Sequence, residues 1–317
     1  MSLAFVFPGQ GSQAPGMGRD LADAFPIARE TFQEVDDALG QKLSRLMFEG
    51  PGEELTLTAN AQPALMAVSV AICRVLGKEG GFDMSRQVAL VAGHSLGEYS
   101  ALTAAGSFDL ATAARLLRLR GDSMQAAVPP GEGAMAALLG AEAEQAAAIC
   151  AEAAQGPEGH QVLEVANDNG GGQVVISGAK AAVERAVEVA KAAGIKRAMI
   201  LPVSAPFHCA MMEPAARVME EALAKAAMAH PAVPVVANVT AAPVSDPDVI
   251  RGLLVRQVTG TVRWRECVAA MVAAGCTRFA EVGAGRVLTG LMKRNAPEAA
   301  ALAINNPADI EAFLKSL

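Results

Sequence analysis

A sharp turn between a strand and a helix is encoded around Ser95. The apolar run 88–92 has the length of a buried strand, residues 93–97 read Gly-His-Ser-Leu-Gly, and an Ala-rich helical pattern follows. In a G-x-S-x-G turn the backbone leaves no room for side chains beside the serine, which explains both glycines. A merely structural glycine turn is the alternative, but the flanking strand and helix favour a nucleophile. The segment therefore predicts an α/β fold with Ser95 in a cleft at the end of a strand.

Strand and helix patterns alternate along the whole chain, which is typical of a largely parallel sheet covered by helices on both faces. The predicted strands are 3–7, 88–92, 134–139, 162–166, 173–177, 197–203, 233–238 and 277–282. The predicted helices are 22–39, 62–76, 110–120, 142–154, 181–193, 211–229, 262–274 and a final helix after Gly285.

The middle of the chain has a different order of strands and helices. Residues 131–203 run in the order strand, helix, two strands around a Gly-rich turn, helix and strand. This βαββαβ order is the ferredoxin-like pattern. A chain of 317 residues exceeds the commonest domain size. We therefore expect a ferredoxin-like subdomain, 131–203, inserted into a large catalytic domain formed by 1–130 and 204–317.

Composition excludes several classes of protein. The formal charge of -7 disfavours general nucleic-acid binding, which requires a basic face. No uncharged apolar run reaches the length of about 18 residues that a membrane span requires, and the opening apolar residues read as a first strand and not as a signal peptide. The five cysteines form no CxxC pair, which argues against a structural zinc site and a disulfide framework. We expect a protein of the reducing cytoplasm that does not bind a membrane.

An activated serine requires a base, and the chain has four histidines. His94 adjoins the serine, and because adjacent side chains diverge on such a turn we expect it to line the cleft. His160 and His230 lie in polar surroundings typical of the surface. His208 follows a predicted strand, where the loops of α/β proteins form active sites. Its position favours a role as the base, with a capping or packing histidine as the alternative.

Several motifs, in order along the chain, resemble those of the malonyl-CoA:acyl carrier protein transacylases of bacterial fatty-acid synthesis, which are related to the acyltransferase domains of polyketide synthases. The resemblance extends from Phe5 to Arg294. It implies an α/β-hydrolase-like domain with a ferredoxin-like subdomain. The motifs are 5–13 (FVFPGQGSQ), 62–64 (QPA), 93–98 (GHSLGE), 120–121 (RG), 173–178 (QVVISG) and 202–204 (PVS), which leads to His208.

The resemblance implies a catalytic dyad and not a triad. Ser95 matches the family's nucleophile and His208 its base, which a backbone carbonyl orients; the matching position for that carbonyl is Gln257. The backbone amides of Gln10 and Leu96 are similar to the family's oxyanion hole. The resemblance thus gives the opening loop a role, whereas its own sequence indicates only a tight turn.

Arg120 and Phe207 are implied to select the acyl group. From its position alone Arg120 reads as an arginine near a helix end, which the helix dipole favours. The resemblance makes it the cation that binds the free carboxylate of malonyl, with a bidentate geometry that lysine does not reproduce. In the related polyketide enzymes, phenylalanine at the position of Phe207 accompanies malonyl, which supports the same substrate.

The implied reaction is ping-pong transfer from malonyl-CoA to the thiol of an acyl carrier protein, with no metal and no cofactor. Because such carriers are acidic, we expect basic residues near the cleft, and Lys196 with Arg197 and Lys293 with Arg294 are the candidates, against solvating surface pairs as the alternative. We expect a monomer. A serine esterase or thioesterase, or a catalytically silent carrier-binding protein, are the rival interpretations; Arg120 and the intact pair Ser95 and His208 argue against them.

Overall fold

A computed structural model describes residues 2–157 and 159–317, over which the chain forms twelve strands and fifteen α-helices. The strands are β1 (Ser2–Phe7), β2 (Leu90–Gly93), β3 (Gly133–Leu139), β4 (Gln155–Gly156), β5 (Gly159–His160), β6 (Leu163–Asp168), β7 (Gln173–Ala179), β8 (Arg197–Ile200), β9 (Val235–Ala237), β10 (Ala242–Val244), β11 (Cys276–Val282) and β12 (Ala300–Ile304). The helices are α1 (Arg19–Ala24), α2 (Pro26–Leu39), α3 (Leu43–Glu49), α4 (Gly52–Thr56), α5 (Thr58–Gly80), α6 (Met84–Gln87), α7 (Gly97–Ala104), α8 (Leu110–Ala126), α9 (Ala143–Ala153), α10 (Lys180–Ala192), α11 (Glu213–Lys225), α12 (Pro247–Thr259), α13 (Trp264–Ala273), α14 (Val287–Asn295) and α15 (Pro307–Lys315).

The larger sheet has six strands in the order β10-β9-β2-β1-β11-β12, and all neighbours are parallel except β10 and β9. Strand β1 is buried from Leu3 onwards, as expected of an apolar strand covered on both faces. Phe7 at its end lies opposite Gly93 at the end of β2. The loops that follow β1 and β2 therefore leave the sheet side by side, and this edge carries the candidate site. The predicted α/β class with a largely parallel sheet is confirmed.

The smaller sheet has four antiparallel strands in the order β6-β7-β3-β8. Helices α9 and α10 pack against it, and together they enclose a separate hydrophobic core that includes Leu138, Ile149, Ile176 and Val183. The chain order of these elements, β3-α9-β6-β7-α10-β8, matches the predicted order of strands and helices; the short antiparallel pair β4 and β5 between α9 and β6 was not predicted.

Hydrogen bonds join the end of β6 to the segment that precedes α13. The amide of Val262 donates to the carbonyl of Ala166 at 2.9 Å, and the amide of Asp168 donates to the carbonyl of Val262 at 3.0 Å. The Asp168 carboxylate also pairs with Arg265 at 2.8 Å. These bonds hold the end of β6, and the loop that follows it, beside the edge of the larger sheet.

Some predicted elements are wrong in their bounds, and each has a local cause. The single helix predicted over 22–39 is two helices, because Phe25 precedes Pro26 and takes an extended conformation, which a following proline favours. The strand predicted over 197–203 ends at Ile200, just before Pro202, which has no amide hydrogen to donate. The helix predicted over 211–229 begins at Glu213, after a 3₁₀ turn, and ends at Lys225.

Other elements were not predicted. Helix α14 is not the final element, because β12 and α15 follow it. Strand β12 has the sequence Ala-Ala-Leu-Ala-Ile, whose composition favours a helix, and it forms a strand by pairing in parallel with β11. Helix α12, which was also not predicted, carries Gln257.

By length and composition alone, helix α5 is apolar enough to cross a membrane. Its most apolar 18-residue window is 83% buried inside the protein. The helix is therefore explained as a core helix of the folded protein.

Candidate active site

The turn that carries Ser95 is as tight as its sequence predicts. Ser95 has φ 53°, in the left-handed region that costs energy for a residue with a side chain. A Cβ added to Gly93 would lie 1.8 Å from the carbonyl carbon of Gly97, and one added to Gly97 would lie 2.3 Å from the carbonyl oxygen of Phe7. Both positions therefore require glycine, and the turn presents Ser95 at the edge of the sheet.

Ser95 and His208 lie in contact although 113 residues separate them. The distance from Ser95 Oγ to His208 Nε2 is 2.7 Å, and His208 Nδ1 lies 2.9 Å from the backbone carbonyl of Gln257. Because a carbonyl oxygen only accepts, Nδ1 carries the hydrogen and Nε2 is free to accept the serine proton. Burial, helped by the charge of Arg120, lowers the pKa of His208 to about 3. The imidazole is therefore neutral at physiological pH, as a general base must be.

Arg120 is buried directly beside Ser95. It lies within α8, one turn and a half before the helix ends, and only 1% of it is exposed. Nη1 donates to Gln62 Oε1 at 2.8 Å, while Nη2 donates to Gln257 Oε1 at 3.0 Å and to Ser95 Oγ at 3.2 Å. Over the described residues no carboxylate lies within ion-pair distance of Arg120, and its Nε has no hydrogen-bond partner. The site thus holds a buried cation that lacks an anion.

Two backbone N–H groups at this edge of the sheet have no hydrogen-bond acceptor among the described residues. Gln10, in the loop after β1, and Leu96, at the start of α7, both line the cleft. Neither amide donates a hydrogen bond within the parts of the chain that the structure describes. The side chain of Gln10 is held by Thr58, whose hydroxyl donates to Oε1 at 2.9 Å. Paired free amides next to a nucleophile can stabilise an oxyanion.

The cleft has a volume of about 410 Å³, and both sheets contribute to its walls. Phe207 and His94 line it, as predicted. His94 Nε2 lies 2.8 Å from Asn169 Oδ1, which joins the nucleophile turn to the loop after β6. Met135 and Val175, from β3 and β7, form part of the opposite wall.

Comparison with known proteins shows which family the chain belongs to. The acyl transferase domain family matches residues 4–306. The chain belongs to this acyltransferase family. It is 50% identical over 313 residues to the malonyl CoA-acyl carrier protein transacylase of Escherichia coli strain K12, covering 99% of each chain. These matches confirm the predicted resemblance to the malonyl-CoA:acyl carrier protein transacylases and the prediction that the chain is an acyltransferase.

Solved structures of acyltransferases have the same fold over the whole chain. The acyl-carrier-protein-S-malonyltransferase from Bartonella henselae superposes with a TM-score of 0.96 at 55% identity, covering 100% of this chain and 99% of that one. A malonyl-transacylase in complex with its type II PKS acyl-carrier protein superposes with a TM-score of 0.95 at 47% identity, covering 100% of both chains.

The basic residues predicted to bind the carrier do not line the cleft of this acyltransferase. Lys196, Arg197, Lys293 and Arg294 are all exposed, and none of them is among the described residues that line the cleft. Arg294 has a structural contact, since its Nη1 donates to the carbonyl of Gly171 at 2.8 Å and so joins α14 to the loop after β6. Carrier binding at these residues stays a prediction.

The remaining histidines lie on the surface, as predicted. His160 is exposed and contacts Gln155, and His230 is exposed and contacts the carbonyl of Ser245. Among residues 2–157 and 159–317 there is no group of three or more His, Cys, Asp or Glu side chains that could hold a metal ion.

Sequence reasoning missed the polar residues that support the site. Asn238 Oδ1 accepts from the amide of Ser95 at 2.8 Å, and its Nδ2 donates to the carbonyl of Gly93 at 2.7 Å. Asn238 directly follows β9, at the carboxyl end of a parallel strand, which is a signal that could have identified it. Glu98 lies in the motif 93–98 and Gln62 in the motif 62–64, but nothing in the sequence indicates which residues they contact.

Proposed function

We propose that the chain transfers a malonyl group from malonyl-CoA to the phosphopantetheine thiol of an acyl carrier protein through an ester on Ser95. The observation that carries this proposal is the contact between a buried, anion-free Arg120 and the Oγ of a serine that already contacts its base. The name of the half-identical relative in Escherichia coli and the carrier complex of the homologous transacylase support the same substrate and acceptor.

In the first half-reaction, His208 Nε2 takes the proton of Ser95, and Oγ attacks the thioester carbonyl. The carbonyl of Gln257 holds the imidazole in the required tautomer and stabilises the imidazolium that forms. The amides of Gln10 and Leu96 donate to the oxyanion of the tetrahedral intermediate. The intermediate collapses with loss of coenzyme A, whose thiolate takes the proton from His208.

Arg120 gives the selectivity. The malonyl carboxylate supplies the anion that this cation lacks, and a planar guanidinium binds a carboxylate with two donors. An acetyl group supplies no such anion, and removal of one partner from a buried ion pair costs about 3–5 kcal/mol. Arg120 lines the cleft, and its Nη2, 3.2 Å from Ser95 Oγ, faces the place where the acyl group is bound.

The second half-reaction reverses the first with a different thiol. His208 takes the proton of the phosphopantetheine thiol, the thiolate attacks the malonyl-serine ester, and the tetrahedral intermediate releases Ser95, which recovers its proton from His208. The amides of Gln10 and Leu96 again stabilise the oxyanion. The reaction requires that thiol, and not water, reach the ester.

We further propose that the larger sheet with its helices is an α/β-hydrolase-like domain, 1–130 and 204–317, and that 131–203 is an inserted ferredoxin-like subdomain. The separate hydrophobic core of the smaller sheet and its antiparallel strand order support this division. The strand–turn–helix that presents Ser95 supports the hydrolase-like description.

The proposed cellular role is supply of malonyl units for fatty-acid synthesis by a cytoplasmic, monomeric enzyme that uses a coenzyme A thioester as substrate and no cofactor. The exposed pairs Lys196 with Arg197 and Lys293 with Arg294 are the proposed contacts for an acidic carrier.

Mass spectrometry of the intact protein and its peptides tests the proposal. Brief exposure to malonyl-CoA is expected to place a malonyl group on the peptide that contains Ser95, and holo carrier protein is expected to remove it and become malonylated. Ser95→Ala and acetyl-CoA are the controls. An adduct lost to water as fast as to the carrier would indicate the hydrolase instead, and no adduct on wild-type protein would contradict the proposal.

A further inference from the structure

Glu98 is a buried carboxylate that the reaction scheme above does not use. It is the second residue of α7, directly behind the nucleophile turn, and only 1% of it is exposed. Its Oε2 accepts two hydrogen bonds, from the amide of Asn238 at 3.0 Å and from Gln257 Nε2 at 2.9 Å. A carboxylate this deeply buried is costly, so its position calls for a reason.

The side chain of Gln257 connects this carboxylate to the selecting arginine. Its Nε2 faces acceptors only: Glu98 Oε2, and the carbonyl of Ser95 at 3.0 Å. Its Oε1 faces a donor, Arg120 Nη2, at 3.0 Å. If the amide were turned over, its NH₂ group would face the guanidinium and its oxygen would face the carboxylate, so every one of these bonds would be lost.

We propose that Glu98 is a positioning residue for acyl selection: it fixes the amide of Gln257 so that the amide oxygen holds Arg120 where the malonyl carboxylate binds. The inference rests on the proposed malonyl transfer and deepens it. Arg120 is thereby held at both ends, with Gln62 on Nη1 and Gln257 on Nη2. Without Glu98, Gln257 Nε2 loses its shortest hydrogen bond and keeps only those to the carbonyl of Ser95 at 3.0 Å and to Asn238 Oδ1 at 3.3 Å, so the amide that orients Arg120 Nη2 is held less firmly.

A purely structural role for Glu98 predicts a different result. Through the amide of Asn238, Glu98 also supports the turn of Ser95, and a defect there slows transfer of every acyl group alike. A displaced Arg120, in contrast, slows malonyl transfer more than acetyl transfer, because only malonyl carries a carboxylate for it to bind. The ratio of malonyl to acetyl acylation rates therefore separates the two roles.

The proposal requires that Glu98 accept hydrogen bonds, and it does not require that Glu98 be charged. Burial raises the pKa of the carboxyl to about 7, so the neutral acid is also accessible near physiological pH. A proton on the other oxygen leaves Oε2 able to accept both bonds. Glu98→Gln keeps the same acceptor and is therefore the conservative variant, while Glu98→Ala removes it.

The test is single-turnover acylation by malonyl-CoA and by acetyl-CoA, measured as adduct formation on Ser95. Glu98→Ala is expected to lower the malonyl to acetyl rate ratio at least tenfold, and Glu98→Gln to keep it within threefold of wild type. In an Arg120→Ala background, Glu98→Ala is expected to leave the ratio unchanged, because the arginine that it positions is gone.

A parallel variant leaves in place the bond from the amide of Asn238 to Glu98. Gln257→Met removes the side-chain amide and keeps the main-chain carbonyl that holds His208, and it is expected to lower the ratio as Glu98→Ala does; an unchanged ratio in this variant would overturn the inference even if Glu98→Ala does not fold. An equal loss of both rates in Glu98→Ala, or a Glu98→Gln ratio as low as that of Glu98→Ala, would overturn the inference. Absence of a malonyl adduct on wild-type protein would instead refute the proposed function.

Discussion

The burial of Glu98 makes the stability of the protein depend on pH in a way that one substitution can isolate. Burial raises the pKa of this carboxyl from 4.5 to about 7. Between these values the folded protein retains a proton that the unfolded chain has released, so stability falls as the pH rises. From these two pKa values, the contribution lost between pH 5 and pH 8 is about 2–3 kcal/mol. Glu98→Gln has no such proton, and its stability relative to wild type is expected to rise by that amount over the interval.

Urea unfolding followed by tryptophan fluorescence measures this difference, because Trp264 is the only tryptophan and is fully buried. Both proteins are unfolded at pH 5, 6, 7 and 8, and circular dichroism checks that the transition is two-state. All other titrating groups are shared, so they cancel in the difference. Glu220→Gln, which removes an exposed carboxyl, is the matched control. A difference between Glu98→Gln and wild type that stays constant with pH would refute the reasoning.

Three further predictions follow from the site and its surroundings. Arg120→Ala is expected to lower kcat/KM for malonyl-CoA at least about 100-fold and to affect acetyl-CoA much less, measured by acylation kinetics; equal losses would contradict carboxylate selection. Gly97→Ala places a Cβ 2.3 Å from a backbone oxygen and is expected to destabilise the protein by at least about 2 kcal/mol in urea, whereas Gly252→Ala, in open space on α12, is expected to stabilise it slightly; similar effects of both would contradict the steric argument. Lys293→Glu is expected to raise KM for the carrier several-fold at low salt, with acylation by malonyl-CoA unchanged, and an unchanged KM would remove this residue from the docking surface.

The local structure of the site could be predicted from the sequence where it depends on a short pattern of residues. The turn of Ser95 follows from two glycines between a strand and a helix, and its steric reason is visible in the close approach of Gly97 to β1. His208 was identified by its place after a strand. In both cases the residue and its local structure lie within a short stretch of chain.

The buried polar residues that contact Ser95, His208 and Arg120 could not be predicted in the same way. Gln257 is 137 residues from Arg120 and 159 from Glu98, and a buried polar contact at such a separation depends on how helices pack. Its role as the residue that orients His208 came only from the resemblance. Helix α12 itself had readable signals, since Asp246 caps it and Pro247 occupies its first turn.

One wall of the cleft shares its packing with the turn of Ser95. Met135 and Val175 lie on strands of the smaller sheet, but their side chains pack in the hydrophobic core of the larger domain, which also contains Leu96. A substitution on this wall therefore changes the packing around Leu96 together with the width of the cleft. Redesign of this enzyme toward bulkier acyl groups accordingly has to vary these side chains together with their neighbours in that core.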